Sequence, residues 1–235
     1  MYLTRFRLNA ARPGTRRLVS SPQVLHAAVM SSFPDLLPST TDQPRVLWRL
    51  DRNAAAELQL YVVSAGRPDL THLVEQAGWP AAAASGAPGW QTYGYGSFLD
   101  KLDKGSTWNF RLTANPVHSV RVRDGQPAKR TAHVTAGHQI SWLLDRQEAG
   151  GFHIQEKPVE RRHTEHGDAH QVLVRDQRSL EFRKGGGKQP VTIKAVTYDG
   201  RLEVTDADAL RRILTQGLGK AKAYGCGLMT LAPAQ

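Results

Sequence analysis

The chain has 235 residues, of which 40% are hydrophobic, a formal net charge of +10 and a pI of about 10.0. This length is enough for one large domain or two small ones with buried cores. The basic excess is spread over both halves of the chain rather than collected in a tail, so we assign it to a folded surface. Such a surface favours a polyanionic partner.

The single cysteine, Cys226, excludes an intramolecular disulfide, and no Cys/His spacing matches a zinc site. No apolar run approaches the roughly 18 residues of a membrane span, and the first eight residues alternate too regularly for a signal peptide. We therefore expect a cytoplasmic protein that is monomeric when isolated, without a membrane contact, a metal or another cofactor.

The first half of the chain alternates between strand and helix patterns. Period-two alternation predicts a strand over Tyr2–Asn9. A basic loop with Arg12, Arg16 and Arg17 is predicted next, and Ser20-Ser21-Pro22 then opens a helix with an apolar stripe. Further strands are predicted over 45–50 and 58–63, a helix after Asp69, a loop over 81–94 and a fourth strand over 108–116. This β-α-β-β-α-β order is typical of a ferredoxin-like unit.

The second half also mixes strands and helices. The predicted elements are a strand over 117–122, a helix over 135–149, a polar loop over 156–169, hairpin strands over 171–183 and 191–198, a strand over 201–204 after an Asp199-Gly200 turn, a helix to about 216 and a strand over 228–231. This order suggests a second ferredoxin-like unit. We therefore predict an α+β fold with two domains, 1–116 and 117–235.

His26 on the first helix is the candidate for proton chemistry. Histidine alone changes charge near neutral pH when its pKa is unperturbed, so it suits a general acid or base. In RNA cleavage, a base removes the 2′-OH proton, the oxygen attacks phosphorus and an acid protonates the leaving 5′ oxygen. The alternative is an ordinary histidine on a helix face, since the chain has 9 histidines.

Two basic segments are candidates for holding a phosphate backbone. The hairpin over 175–194 has a glycine tip, and its alternative interpretation is a solvated hairpin. Its candidate RNA contacts are Arg175, Arg178, Arg183, Lys184 and Lys188. The C-terminal run carries four glycines and two lysines, and its alternative is a helix cap leading into a strand. Its candidate residues are Gly217, Gly219, Lys220, Lys222, Gly225 and Gly227.

Other ligand motifs have little support. The P-loop pattern does not occur, and no G-x-G-x-x-G lies between a first strand and helix. His163, His166 and His170, together with Glu165 and Asp168, have spacing that could bind a metal, but they lie in a predicted polar loop. A solvated loop is the better interpretation of this segment.

Several segments resemble the CasE endoribonuclease family of type I-E CRISPR systems, in order along nearly the whole chain. They are the N-terminal MYLT, Leu25-His26, the run over 108–116, the ISWL segment over 140–143 and the glycine-rich run over 217–233. The last is the most specific. The resemblance implies two tandem ferredoxin-like domains, related to RNA-recognition motifs, with a basic hairpin in the second.

The resemblance also implies an activity and partners. Members of the family bind the stem-loop of a CRISPR repeat transcript and cut at the 3′ base of the stem without metal, leaving a 2′,3′-cyclic or 3′ phosphate. They retain the product within the Cascade complex. His26 occupies the position of the catalytic histidine, and Arg178, Arg183 and Lys184 fall on the hairpin that enters the RNA major groove.

One position departs from the family pattern. Some members have a tyrosine three residues before the histidine, whereas this chain has Gln23, which cannot transfer a proton. Either His26 works alone or a nearby cation stabilises the phosphorane, and the second catalytic group stays open. The alternatives are a non-catalytic stem-loop-binding subunit, which Gln23 favours, and an enzyme that takes a small anionic substrate at the glycine-rich run.

Overall fold

Two antiparallel sheets form the frame of the protein. The computed structural model describes residues 1–33, 44–52, 57–79, 89–120, 129–164, 167–183 and 190–234. The elements of the first half are β1 (Tyr2–Asn9), α1 (Pro13–Val19), α2 (Pro22–Met30), β2 (Leu47–Arg52), β3 (Glu57–Ser64), α3 (Thr71–Ala77), β4 (Trp90–Gly94) and α4 (Gly96–Leu99). The first sheet has the strand order β2-β3-β1-β4, which is the ferredoxin-like arrangement.

The second half repeats this arrangement. Its elements are β5 (Thr107–Ala114), β6 (Val117–Val120), β7 (Lys129–Ala132), α5 (Ala136–Leu144), α6 (Gln147–Gly150), β8 (Phe152–Ile154), β9 (Val172–Arg183), β10 (Pro190–Val204), α7 (Ala207–Gln216) and β11 (Met229–Pro233). The sheet order is β11-β5-β10-β8, and β9 pairs with the earlier part of β10. The predicted α+β fold with two ferredoxin-like units is therefore confirmed.

The predicted fourth strand of the first unit was wrong. The segment predicted over 108–116 is β5, which lies inside the second sheet between β10 and β11. The position in the first sheet is filled by Trp90–Gly94, which pairs with Tyr2–Phe6 and lies within the predicted loop. The neighbouring Ala/Gly/Pro-rich sequence conceals this short strand. We propose a domain boundary between β4 and β5 rather than at residue 116.

Three local predictions also failed. The basic loop after β1 contains helix α1, which begins at Pro13. The predicted helix over 135–149 is two helices, α5 and α6. The expected Asp199-Gly200 turn does not form, because β10 runs through both residues and pairs with β5 and β9 there. Sheet pairing on both sides overrides the local turn preference of this dipeptide.

An apolar cluster lies between each of the two sheets and its helices. Leu25 and Val29 of α2 pack with Phe6 and Leu73 against the first sheet. A second cluster lies between the second sheet and its helices and includes Leu47 from β2. The two units are therefore in direct apolar contact along β2.

A buried arginine fastens the two sheets together. Arg49 of β2 is 1% exposed, and it binds Asp51 through two hydrogen bonds of 2.6 and 3.0 Å. It also donates to the carbonyl oxygens of Arg111 (2.8 Å) and Leu228 (3.1 Å) and to the Thr230 hydroxyl (2.9 Å). This network fixes the orientation of the first unit, which carries α2, relative to β5 and β11. In the described part of the chain, no helix is long and apolar enough to cross a membrane.

Candidate active site

Helix α2 presents His26 towards the second unit. The Ser21 hydroxyl accepts a hydrogen bond from the Gln23 N–H (3.3 Å) and caps the helix, as predicted, with Pro22 in its first turn. The burial of Leu25 and Val29 fixes the rotation of the helix. His26 is half-buried at the edge of this stripe, and its Nδ1 is buried without a hydrogen-bond partner among the described residues.

The environment of His26 favours its neutral form. Burial removes water from the imidazole and lowers its pKa from the ordinary value of 6.5. The buried Nδ1 cannot reach a substrate, so Nε2 of the neutral imidazole is the nitrogen able to accept a proton. His26 therefore has the protonation state of a general base at neutral pH.

Tyr224 is the aromatic neighbour of His26. The two rings meet edge to face with a centroid distance of 6.5 Å. Tyr224 ends a short 3₁₀ turn, Lys222–Tyr224, and its other side packs on Phe182 of the hairpin at 4.6 Å. Tyr224 was not among the predicted site residues, because no feature of the neighbouring sequence links it to a helix at the other end of the chain.

The glycine-rich run delivers this turn to α2. All four predicted glycines have positive φ, between 78° and 94°. A Cβ on Gly225 would lie 2.6 Å from the Trp48 ring, so only glycine allows the backbone to approach that side chain. The Gly227 N–H donates to the Thr113 carbonyl (2.6 Å), and the Leu218 N–H donates to the Gly227 carbonyl (2.9 Å). The glycines thus shape the loop by packing against protein.

The same run places cations beside the histidine-bearing helix. Lys222 is half-buried and forms no ion pair with a described residue, whereas Lys220 is exposed. Burial lowers the pKa of Lys222, and the charges of Arg45 and Lys220 lower it further. Arg45, Lys220 and Lys222 thus concentrate positive charge here, and none of them forms an ion pair with a carboxylate in the described part of the chain. This arrangement suits a phosphate group. Arg45 was not among the predicted site residues.

A small cavity joins α2, β2 and β9 next to Tyr224. Its volume is about 70 Å³, and its lining includes Ser21, Trp48, Arg178 and Tyr224. Two buried donors at its wall, Trp48 Nε1 and Arg178 Nε, have no partner among the described residues. Buried donors are costly to leave unpaired, at about 1–3 kcal/mol each. The largely apolar cavity thus has two residues at its wall that can donate to water or to a ligand oxygen.

The structure separates the arginines of the predicted hairpin. Arg178 faces this cavity and pairs with Asp176 at 3.2 Å. Arg183 is exposed at the end of β9. Arg175 instead binds Asp199 at 2.6 Å, and this carboxylate also pairs with Arg111 above the Arg49 network. Arg175 is therefore not brought to His26. Lys184 and Lys188 lie outside the described residues.

The side chains of the polar loop after β8 form hydrogen bonds within the protein. The Asp168 carboxylate accepts hydrogen bonds from the Lys157 ammonium and from the His163 N–H (2.7 Å). Glu165 and His166 lie outside the described residues. Within the described ranges, no group of three or more His, Cys, Asp or Glu side chains is arranged to hold a metal ion.

Comparisons with known proteins agree on one family. The family model described as "CRISPR associated protein" matches residues 1–233. The CRISPR-associated endoribonuclease Cse3 of Thermus thermophilus is 30% identical over 99% of this chain and 100% of its own length. The Cascade subunit CasE of Escherichia coli is 29% identical over 80% of this chain and 88% of its own.

A solved structure also matches nearly the whole chain. The structure of Thermus thermophilus Cse3 bound to an RNA representing a pre-cleavage complex superposes with a TM-score of 0.75. The two sequences are 27% identical, and the match covers 99% of this chain and 98% of that one.

Proposed function

We propose that this chain, which belongs to the CRISPR-associated protein family of Cse3 and CasE, is an endoribonuclease that processes CRISPR repeat transcripts. It binds the stem-loop of the repeat and cuts at the 3′ base of the stem. It then keeps the mature RNA as a subunit of a Cascade complex, as the name of the CasE relative suggests. Its place of action is the cytoplasm.

One observation carries the assignment of the chemistry. His26 is half-buried, its Nδ1 lacks a partner among the described residues, and it faces a turn that carries Tyr224 and the unpaired cation Lys222. A neutral imidazole takes the 2′-OH proton, and the lysine stabilises the charge that develops on the phosphorane oxygens. The nucleophile belongs to the RNA itself, so the reaction does not need a metal-bound water.

Basic residues around this centre hold the RNA. Double-stranded RNA is recognised mostly through its shape and its phosphates. Arg178 and Lys222 lie beside the catalytic helix, and Lys220 and Arg183 extend the basic surface outward. Lys184 and Lys188, which follow Arg183 in the sequence, are further RNA contacts in our proposal.

Cleavage of a repeat RNA in EDTA tests the function. Wild type is expected to cut in EDTA, and His26→Ala is expected to lose at least 100-fold in single-turnover rate, because a general base contributes about 10²–10⁴-fold. His153→Ala is the matched control, since His153 is exposed on β8 away from α2. Loss of wild-type cleavage in EDTA would refute the metal-independent mechanism, and a fully active His26→Ala would remove His26 from the chemistry.

A non-catalytic stem-loop-binding subunit is the second candidate. Gln23 favours it, because an amide cannot transfer a proton and its Oε1 is buried without a partner among the described residues. Such a protein would bind the repeat RNA tightly and leave it intact. A denaturing gel of the RNA after prolonged incubation with excess protein separates the two functions.

A further inference from the structure

We propose that Tyr224 is the second catalytic residue of this site, and that its hydroxyl donates the proton to the leaving 5′ oxygen while His26 acts as the base. The proposal rests on the function proposed above. It assigns to the glycine-rich run a chemical role that its glycines and lysines did not suggest.

The position of the Tyr224 ring is fixed from three sides. Phe182 packs against the ring at 4.6 Å, and His26 meets it edge to face at 6.5 Å. The next residue, Gly225, is in contact with Trp48 and cannot move towards it. The ring is therefore held in place before any substrate binds, which is what an oriented catalytic group requires.

The Tyr224 hydroxyl is available for a ligand. It makes no hydrogen bond to any described residue, and its side chain lines the cavity that contains the unpaired Arg178 Nε. The Tyr198 hydroxyl, in contrast, donates to the Gln139 carbonyl at 3.1 Å. A phenol with an open hydroxyl beside a basic group suits an oxygen of a phosphodiester.

An in-line displacement requires the base and the acid to act on the same phosphodiester. The attacking 2′ oxygen and the leaving 5′ oxygen occupy opposite sides of the phosphorus, and each catalytic group must lie within about 2.6–3.2 Å of its oxygen. A base and an acid that serve the same phosphorus are therefore separated by the width of that phosphorane. The His26 and Tyr224 rings are neighbours, with centroids 6.5 Å apart, so one phosphodiester can contact both side chains.

Other proton donors near His26 are less suitable. Gln23 has no transferable proton. Cys226 is fully buried, and burial raises the pKa of its thiol to about 12. Lys222 carries a positive charge next to Arg45 and Lys220, so it is better suited to neutralise the equatorial oxygens. Tyr224 remains as the oriented neutral donor.

The proton balance closes without a co-reactant. His26 takes the proton from the 2′-OH as the 2′ oxygen forms its bond to phosphorus. The bond between phosphorus and the 5′ oxygen breaks, and this oxygen receives the Tyr224 proton and leaves as a 5′-OH. The products are a 2′,3′-cyclic phosphate and a 5′-OH, and proton transfer through solvent from the imidazolium to the phenolate restores both side chains.

Tyr224→Phe removes only the hydroxyl and keeps the packing on Phe182. With a repeat RNA under single-turnover conditions, we expect its cleavage rate to fall about 100-fold while the RNA dissociation constant stays within twofold of wild type. Tyr93→Phe is the matched control, because Tyr93 is 52% exposed on edge strand β4. A Tyr224→Phe rate equal to wild type would overturn the proposal.

A substrate with sulfur in place of the leaving 5′ oxygen tests the role itself. A thiolate leaves without protonation, since thiol pKa values lie near 8.5. We expect Tyr224→Phe to cleave this RNA as fast as wild type, whereas His26→Ala stays slow. A defect of Tyr224→Phe that persists with the sulfur substrate would overturn the assignment as proton donor. Failure of wild type to cleave the ordinary RNA would instead refute the proposed function, and this proposal with it.

Discussion

Substitution of Gly225 by alanine tests whether the glycine-rich run is a packing device that positions Tyr224. The new Cβ would lie 2.6 Å from one carbon of the Trp48 ring and 2.9 Å from another. The φ of 79° adds backbone strain, at about 1–2 kcal/mol for a residue with a Cβ. Overpacking against a fixed ring costs a further 1–3 kcal/mol or so. We therefore expect a loss of about 2–5 kcal/mol in the free energy of unfolding.

Gly105→Ala separates the two contributions. Gly105 also has a positive φ, of 84°, but a Cβ there would meet no atom within 4 Å. Its replacement should therefore show the backbone strain alone, about 1–2 kcal/mol. Urea unfolding followed by tryptophan fluorescence and by circular dichroism measures both variants. The difference between them gives the cost of the contact with Trp48.

The same variant has a consequence for cleavage. Displacement of the backbone at Gly225 moves Tyr224 and Lys222, and a shift of about 1 Å in a catalytic group can cost about 100-fold in rate. We expect folded Gly225→Ala to cleave slowly and Gly105→Ala to cleave normally. If Gly225→Ala is as stable as Gly105→Ala and equally active, the run does not position the site, and our reasoning is wrong.

Three further predictions follow from the charges at the site and at the interface. Burial lowers the pKa of His26, and a base must be neutral to act. The cleavage rate should therefore stay level near neutral pH and fall only below pH 6.5, by about tenfold per pH unit. A rate that rises as the pH falls would assign His26 as the acid. Arg49→Met removes two hydrogen bonds from Asp51, which Arg111 still pairs at 3.3 Å, and leaves two carbonyl groups without this donor. The free energy of unfolding should fall by about 2–4 kcal/mol in urea titrations. A change below about 1 kcal/mol would show that the network does not fasten the two units. Lys222→Ala should reduce the slope of log binding constant against log salt by about 1 and also slow the cleavage of bound RNA, because this lysine contacts the reacting phosphate. An unchanged slope together with an unchanged rate for bound RNA would remove Lys222 from the site.

Predictions from the sequence were correct where a helix or strand carries its own capping residue or its own alternation of apolar and polar residues. The serine cap and proline before His26 and the alternation in β1 predicted elements that the structure contains. The ferredoxin-like order followed from these elements, even though one strand was assigned to the wrong sheet. The family followed from motifs spread along the whole chain, and the comparisons confirm it.

The failed predictions share a physical cause. Strand β5 has the same alternation whichever sheet it joins, so its pattern could not reveal its partners β10 and β11. The Asp199-Gly200 pair favours a turn in isolation, but ladders on both sides keep it extended. Arg175 looks like a free cation in the sequence, and only the folded sheet shows that Asp199 holds it. The strands that a segment pairs with, and the charges that it meets, lie far away in the sequence. The residues of the segment itself therefore do not reveal them.

The features of the site also differ in whether the sequence alone predicts them. The sequence determined that a histidine lies on a capped helix near the N-terminus, that a glycine-rich run with two lysines lies near the C-terminus, and that both belong to one RNA-processing family. Only the tertiary structure decided that Gly225 packs on Trp48 and that the run turns Tyr224 towards His26. The physical reason is that this contact depends on the docking of two units along β2, where Arg49 and the shared core set their orientation.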